Sequence, residues 1–273
     1  MSDAIKELRA EVPAPEEGFE VIYQRPDSLN ETQFTYCPGC QHGNVHHLIA
    51  EVVDELGIKH RMVGMAPVGC SVFAYEFFDF DFISCAHGRA PATATGVKRA
   101  DPEAILLSYQ GDGDLASIGA AEIVHAANRG ELITVVFINN AIYGMTGGQM
   151  APTSLEGMVT STSPRGRDVR LAGKPIHVCE MLASLGGVAY LTRQTGHTPK
   201  GLLKVKAALK KAFQYQMEGL GFTLVEVLCG CAINTRRTPR ENAHWIGEKM
   251  MPEFKLGDFR DVKKEQAESA NKE

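Results

Sequence analysis

The sequence predicts an α/β domain built on a mainly parallel sheet with helices on both faces. Three observations lead there. The apolar runs AILLSY, LITVVFIN and FTLVEVL are continuous rather than alternating, as in strands buried on both faces. Amphipathic stretches separate them, supplying the crossovers that parallel neighbours require. The 273 residues, 44% of them apolar, suffice for one large core.

The elements follow in order. NVHHLIAEVVDEL repeats apolar residues at helical spacing and predicts a helix over 44–56, followed by the strand RMVGMA. RAPATATGVKRA predicts a helix over 89–100, AILLSY a strand over 104–109, and LASIGAAEIVHAANR a helix over 115–129. LITVVFIN is a strand over 132–139, HVCEMLASL a helix and VAYLT a strand. LLKVKAALKKAFQYQMEG is a helix over 202–219 and FTLVEVL a strand over 222–228. Residues 1–30, polar and punctuated by proline, read as an extended arm, and residues 31–256 as one domain. Residues 257–273 read as a polar C-terminal tail, expected from Lys263 onward to fray or to form an exposed helix. The stretch 141–175 is rich in Gly, Ser, Thr and Pro without a period, which fits a lid or an interface loop.

Composition narrows the function. With 28 basic against 33 acidic residues, a net charge of −5 and no aromatic-interleaved basic patch, nucleic acid is not an expected partner. No apolar run approaches a membrane span and no N-terminal apolar region suggests secretion, so a cytoplasmic location and no membrane partner are expected. Seven cysteines in such a chain point to thiolate ligation or plain burial rather than disulfides.

Two constellations carry chemistry. In YQGDGDLASIG a strand ends at Asp112 and Asp114 among glycines, just before a helix. Alone this is a turn with an N-cap. The next strand ends at NNAIYG, where Asn140 adds a carboxamide and the bend at Ala141 turns the Ile142 carbonyl toward the same point. Such oxygens suit magnesium shared with phosphate, while Gly111, Gly113 and the helix N-terminus favour close approach of a diphosphate. Twenty-five residues separate Gly113 from Asn139, and this GDG-x25-NN arrangement resembles the thiamine diphosphate fingerprint.

The second constellation is sulfur. YCPGCQHG sets Cys37 and Cys40 in a CxxC loop, which suits zinc, redox or iron–sulfur chemistry equally. Cys70 in APVGCS and Cys229 and Cys231 in LCGC follow strands whose tips lie on the same side. Four thiolates there fit a [4Fe-4S] cluster beside a carbanion-forming cofactor, with zinc as the structural alternative. Cys85 and Cys179 lie in apolar settings and read as buried thiols.

Together CPGC, PVGCS, HGRAPATATGVKRA, YQGDGDLASIG, FINNAIYGMTGGQMAPT and FTLVEVL followed by cysteine resemble the β subunits of the 2-oxoacid:ferredoxin oxidoreductases over residues 36–256. The resemblance implies a thiamine diphosphate-binding fold of the diphosphate-domain type. It implies coenzyme A-dependent oxidative decarboxylation of a 2-oxoacid to acyl-CoA and carbon dioxide, with electrons leaving through a [4Fe-4S] cluster to ferredoxin. It assigns magnesium to Asp112, Asn140 and Ile142, and the cluster to Cys37, Cys40, Cys70 and Cys231, with Cys229 in reserve. Around the cofactor it places Val68, Gly69, Cys70, Ser71, His87, Gly88, Gly113, Asp114, Gly144 and Met145. His87 also fits a helix-entry histidine satisfied by backbone, and Arg89 fits either a substrate or phosphate contact or a surface ion pair.

The chain departs from the family at Gln41, where glycine is common, and at AINTRR after the last cysteine, where many members read PTNWG. No glutamate here is placed to activate the aminopyrimidine; Glu122 reads as a helix-face residue and Glu76 precedes an aromatic run. The resemblance assigns that glutamate to a pyrimidine-domain α subunit, with γ and ferredoxin-like δ subunits as further partners. Met145 and Gly147 are expected to face the reacting carbon together with Arg89. An apolar Met and an open Gly fit an aliphatic acid such as 2-oxoisovalerate, while an arginine from a partner chain would equally admit 2-oxoglutarate. A non-redox thiamine diphosphate-dependent decarboxylase or synthase subunit is the rival reading.

Overall fold

The computed structural model describes residue 18 and residues 20–270. Its strands are β1 (Met62–Ala66), β2 (Asp81–Ser84), β3 (Ile105–Gly111), β4 (Thr134–Asn139), β5 (Ile142–Tyr143), β6 (Gln149–Met150), β7 (Val188–Thr195), β8 (Phe222–Leu228) and β9 (Gly257–Asp261). Seven of them form one sheet in the order β2-β1-β3-β4-β8-β7-β9. All neighbours are parallel except β9, which runs antiparallel to β7. β5 and β6 form a separate hairpin.

Helices cover both faces. α1 (His42–Leu56) lies on one side; α2 (Ala90–Ala100), α3 (Ala120–Arg129) and α4 (Val178–Leu182) lie on the other, and α5 (Pro199–Met217) returns to the first. Alternation along β4 sends Val136 and Ile138 into the first core and Val135 and Phe137 into the second, all fully buried. Each such side chain contributes about 1.5–3 kcal/mol relative to exposure. α5 starts earlier than expected because Thr198 caps it, accepting from Gly201 N at 3.1 Å, with Pro199 in the first turn.

Several expectations shift. The helix expected over 115–129 is divided: Gly113–Ile118 is a π-helical turn, and α3 begins after Gly119. The junction requires glycine, since a Cβ on Gly119 would lie 2.5 Å from the Gly88 carbonyl oxygen. The polar tail expected from residue 257 is instead partly sheet, because Gly257–Asp261 is the edge strand β9; α6 (Val262–Ala270) then lies exposed. β2 and β9 were not expected at all. Both are edge strands with polar residues, so neither shows a buried apolar run.

Most of the expected N-terminal arm, residues 1–17 and 19, lies outside the described residues. Its last part is anchored: Leu29 bridges to Phe78, and Ser28 Oγ donates to Asp54 Oδ1 at 2.5 Å. The long loop 141–175 is organised by buried Arg167, whose guanidinium donates to the carbonyls of Ala151, Pro152, Ser154, Ala172, Gly173 and Lys174. No helix among the described residues is long and apolar enough to cross a membrane.

Candidate active site

Parallel β1, β3, β4 and β8 end on one edge of the sheet, where ligands of open α/β sheets bind. The loops beyond β1, β3 and β4 line a cavity of about 120 Å³. Its wall includes Val68, Gly69, Cys70 and Ser71 after β1, Gly111 to Asp114 after β3, and Asn140, Ile142, Gly144 and Met145 after β4.

Asp112 is buried at the base, 2% exposed. It accepts from Gly113 N at 2.8 Å, from Ile142 N at 3.2 Å and from Thr153 Oγ1 at 2.7 Å, all neutral donors. Burial pushes its carboxyl up to about 6, although these donors favour the ionised form. Asn140 Oδ1 accepts from the same Ile142 N at 3.2 Å, so carboxylate and carboxamide oxygens flank one amide. Ala141 makes the bend with a left-handed φ of 61°. A buried carboxylate with only neutral donors, beside further hard oxygens, has the donor chemistry of a magnesium site. Among the described residues no three His, Cys, Asp or Glu side chains converge on one point, and the expected oxygen set contains only one such residue.

Asp114, also 2% exposed, ties the wall together. Its Oδ1 accepts from Gly88 N at 2.8 Å and Val68 N at 3.3 Å and lies 2.6 Å from His87 Nδ1; its Oδ2 accepts from Gln110 Nε2 at 2.5 Å. One carboxylate thus fixes the loops that follow β1 and β2 against the tip of β3.

The cysteines gather beside this cavity. A Cβ on Gly144 would lie 3.3 Å from Cys70 Sγ and 3.7 Å from Cys231 Sγ. Asn234 Nδ2 donates to Cys231 Sγ at 3.3 Å and to Gly144 O at 2.7 Å. Burial pushes the Cys40 thiol up to about 12, and Cys70, Cys231 and Cys37 add to the rise; the Cys70 thiol is pushed up to about 11 by burial and then by Cys231 and Cys37. These four are therefore electrostatic neighbours, and Cys229 is coupled to Cys40 as well. Cys229 faces inward, 2% exposed within the core.

Residues 67–227 match the family described as thiamine pyrophosphate enzyme, C-terminal TPP binding domain. The chain is 48% identical over 250 residues to the ketoisovalerate oxidoreductase subunit VorA of Methanothermobacter marburgensis, covering 88% of this chain and 52% of the relative. It is 37% identical to the 2-oxoglutarate synthase subunit KorB of Archaeoglobus fulgidus, covering 76% and 73%. With the KorB of Methanocaldococcus jannaschii the identity is 32%, over 89% and 92%. The chain belongs to the 2-oxoacid:ferredoxin oxidoreductase subunit family. A solved structure, 2-oxoglutarate:ferredoxin oxidoreductase from Magnetococcus marinus, aligns with TM-score 0.67 and 29% identity over 77% of this chain and 69% of that one. The chain spans about half the length of the VorA relatives it matches.

Within this oxidoreductase subunit, Val68, Gly69, Cys70, Ser71, His87, Asp112, Gly113, Asp114, Asn140, Ile142, Gly144 and Met145 all line the one cavity. Gly88 does not line it but donates its N–H to Asp114. Gly147 lies on the wall of a larger neighbouring cavity, with Ile233 and Trp245. Arg89 is paired with Glu122 on the helix surface, the ion-pair alternative. Sequence reasoning missed His42, which lines the cavity, donates to or accepts from Tyr109 Oη at 2.6 Å and is held neutral by burial. It also missed Thr153, a single hydroxyl in an aperiodic loop with no motif to mark it. Gln41 and Asn234, at the two departures from the family pattern, both have structural partners: Gln41 Oε1 accepts from Gly230 N at 2.9 Å, and Asn234 holds Cys231.

Proposed function

We propose that this chain is the β subunit of a 2-oxoacid:ferredoxin oxidoreductase, converting a branched aliphatic 2-oxoacid and coenzyme A to acyl-CoA and carbon dioxide, with electrons passed to ferredoxin. The observation that carries this reading is the convergence of Asp112, Asn140 and Ile142 in a cavity bordered by cysteines. Asp112, Asn140 and the Ile142 carbonyl would hold magnesium, and the loop around Gly113 would receive the diphosphate. Cys37, Cys40, Cys70 and Cys231 would hold a [4Fe-4S] cluster. Thiamine diphosphate, when bound, supplies carbanion chemistry, and an adjacent cluster accepts its electrons.

The chain's own part is positioning. Asp114 fixes the loops that carry Val68 and His87, and Asp112 and Asn140, both lining the cavity, share the Ile142 amide. Met145 and Val68, both partly exposed, give the mouth an apolar lining that limits water. No lysine or arginine is among the residues lining this cavity, while Arg236, Arg237 and Lys249 line the neighbouring one that holds Gly147. The higher identity to the ketoisovalerate subunits supports a branched aliphatic acid over 2-oxoglutarate. No glutamate lines the cavity either, so the group that activates the aminopyrimidine is assigned to an α partner subunit. Electrons would then leave through a ferredoxin-like δ subunit or ferredoxin itself, with γ completing a cytoplasmic hetero-oligomer.

The test is anaerobic purification with co-purifying partners, followed by assay of iron, magnesium and thiamine diphosphate and a 2-oxoacid panel. About four irons per chain in this cluster, and faster reduction of ferredoxin with 2-oxoisovalerate than with 2-oxoglutarate, are expected. Thiamine diphosphate without iron would favour a non-redox lyase, and preference for 2-oxoglutarate would remove the substrate assignment.

A further inference from the structure

Glu226 has no evident reason to sit where it does. It interrupts the apolar strand β8 with a carboxylate that is 0% exposed, and it lies outside the cavity wall. A buried charge of this kind persists only when paired and hydrogen-bonded. It is both paired and hydrogen-bonded, the pairing with Arg193 being an ion contact without hydrogen-bond geometry. Arg193, directly opposite on β7 and equally buried, places Nε 2.8 Å from Glu226 Oε2, and Cys179 Sγ donates to the same oxygen at 3.1 Å. Arg193 is itself clamped by Glu180, at 2.9 and 2.6 Å, and by the carbonyl of Lys255, with its guanidinium over the rings of Phe254 and Phe259.

The other carboxylate oxygen points toward the site. Glu226 Oε1 accepts from Asn139 Nδ2 at 2.8 Å. Asn139 ends β4 and is fully buried; its own Oδ1 accepts from Ala141 N at 3.3 Å. Ala141 is the left-handed residue that turns the chain between Asn140 and Ile142. An unbroken series of polar contacts therefore runs from Arg193 through Glu226 and Asn139 to the bend that aims the expected metal ligands.

We infer that Glu226, oriented by Arg193, is a positioning residue that holds the Asn139 carboxamide and thereby sets the Asn140–Ile142 turn for its cation. A salt bridge serving only the core would leave Oε1 to any donor; here it is spent on the residue preceding a ligand. Outer hydrogen-bond partners of metal ligands typically tune affinity by roughly tenfold to a hundredfold.

The inference rests on the thiamine diphosphate and magnesium reading, and the experiment separates the two. In the assembled complex with saturating thiamine diphosphate, magnesium affinity is titrated calorimetrically for the parent, Glu226→Gln, Asn139→Ala and Cys179→Ala, alongside the melting temperature without magnesium. Expected is a loss of about tenfold or more in magnesium affinity for Glu226→Gln and Asn139→Ala. Cys179→Ala, which meets Glu226 only at the oxygen not bonded to Asn139, stays within about twofold of the parent. Should Glu226→Gln fail to fold, Asn139→Ala keeps the buried ion pair and decides alone. Variants that melt lower yet bind magnesium within twofold of the parent would mark the network as structural only and overturn the inference, as would a loss confined to Asn139→Ala when Glu226→Gln folds. A parent complex that binds neither magnesium nor thiamine diphosphate would remove the functional reading and this inference with it.

Discussion

The carboxylate corner and the cysteine corner of this subunit share the residue Gly144 yet are built in different ways. Asp112 and Asn140 stand at the tips of two central strands, the first buried and the second half-buried, both fixed by hydrogen bonds within the fold. The cysteines sit on loops, partly exposed, with Cys40 and Cys70 raised so far that they are neutral thiols at neutral pH. Strands and their hydrogen bonds preorganise one corner. On the proposed reading, the other would acquire its charge only when a metal displaces the thiol protons.

The comparison can be broken most directly at Asp112. Asp112→Ala is expected to weaken magnesium-dependent binding of thiamine diphosphate more than a hundredfold, measured by calorimetry on the complex, while the iron content stays unchanged. Loss of iron together with the thiamine cofactor would mean the corners are one unit. At the sulfur corner, Cys231→Ser should abolish the visible absorption of the cluster, whereas Cys229→Ser, a buried substitution, should keep it; the reverse would exchange their roles.

Acidity sharpens the contrast. With the Asp112 carboxyl raised to about 6, protons compete with magnesium only below that pH. Titrations should give an affinity that is flat above neutrality and falls toward tenfold per pH unit in acid. Cluster assembly must instead displace thiol protons, so its yield should keep rising with pH through the neutral range. Asp114→Asn retains shape but weakens the bonds that gather Val68, His87 and Gly88, and should cost about tenfold in cofactor affinity, with magnesium affinity less affected. Arg89→Ala comes last. Its pair with Glu122 is exposed and the residue lies off the cavity wall, so activity within about twofold of the parent is expected from steady-state rates.

The five strands buried on both faces were legible because each is an apolar run between amphipathic helices. β2 and β9 were not, since an edge strand needs neither an apolar run nor alternation: Asp81, Asp258 and Asp261 are tolerable where one side meets solvent or a cationic neighbour such as Lys211. At the site, the glycines, Asp112 and Asn140 could be read from motif and spacing alone. Thr153 and Glu226 could not, because they join the site through contacts between distant segments and carry no local pattern. Asp114 was visible as a residue but not as the tie between loops, which depends on His87, Gly88 and Val68 arriving from elsewhere in the chain.

The strand order has a consequence for synthesis. β7 pairs only with β8 and β9, and both lie downstream of it. A ribosome therefore releases β7, with Arg193 in it, before any strand that will flank it exists. Until β8 slides between β4 and β7 and delivers Glu226, that arginine has no counter-charge in the sheet and the turn after β4 has no support from beneath. The half of the sheet made first, β1 to β4, can assemble as it emerges; the turn at its tip gains the support of Glu226 only after β8, more than eighty residues further along, has been made.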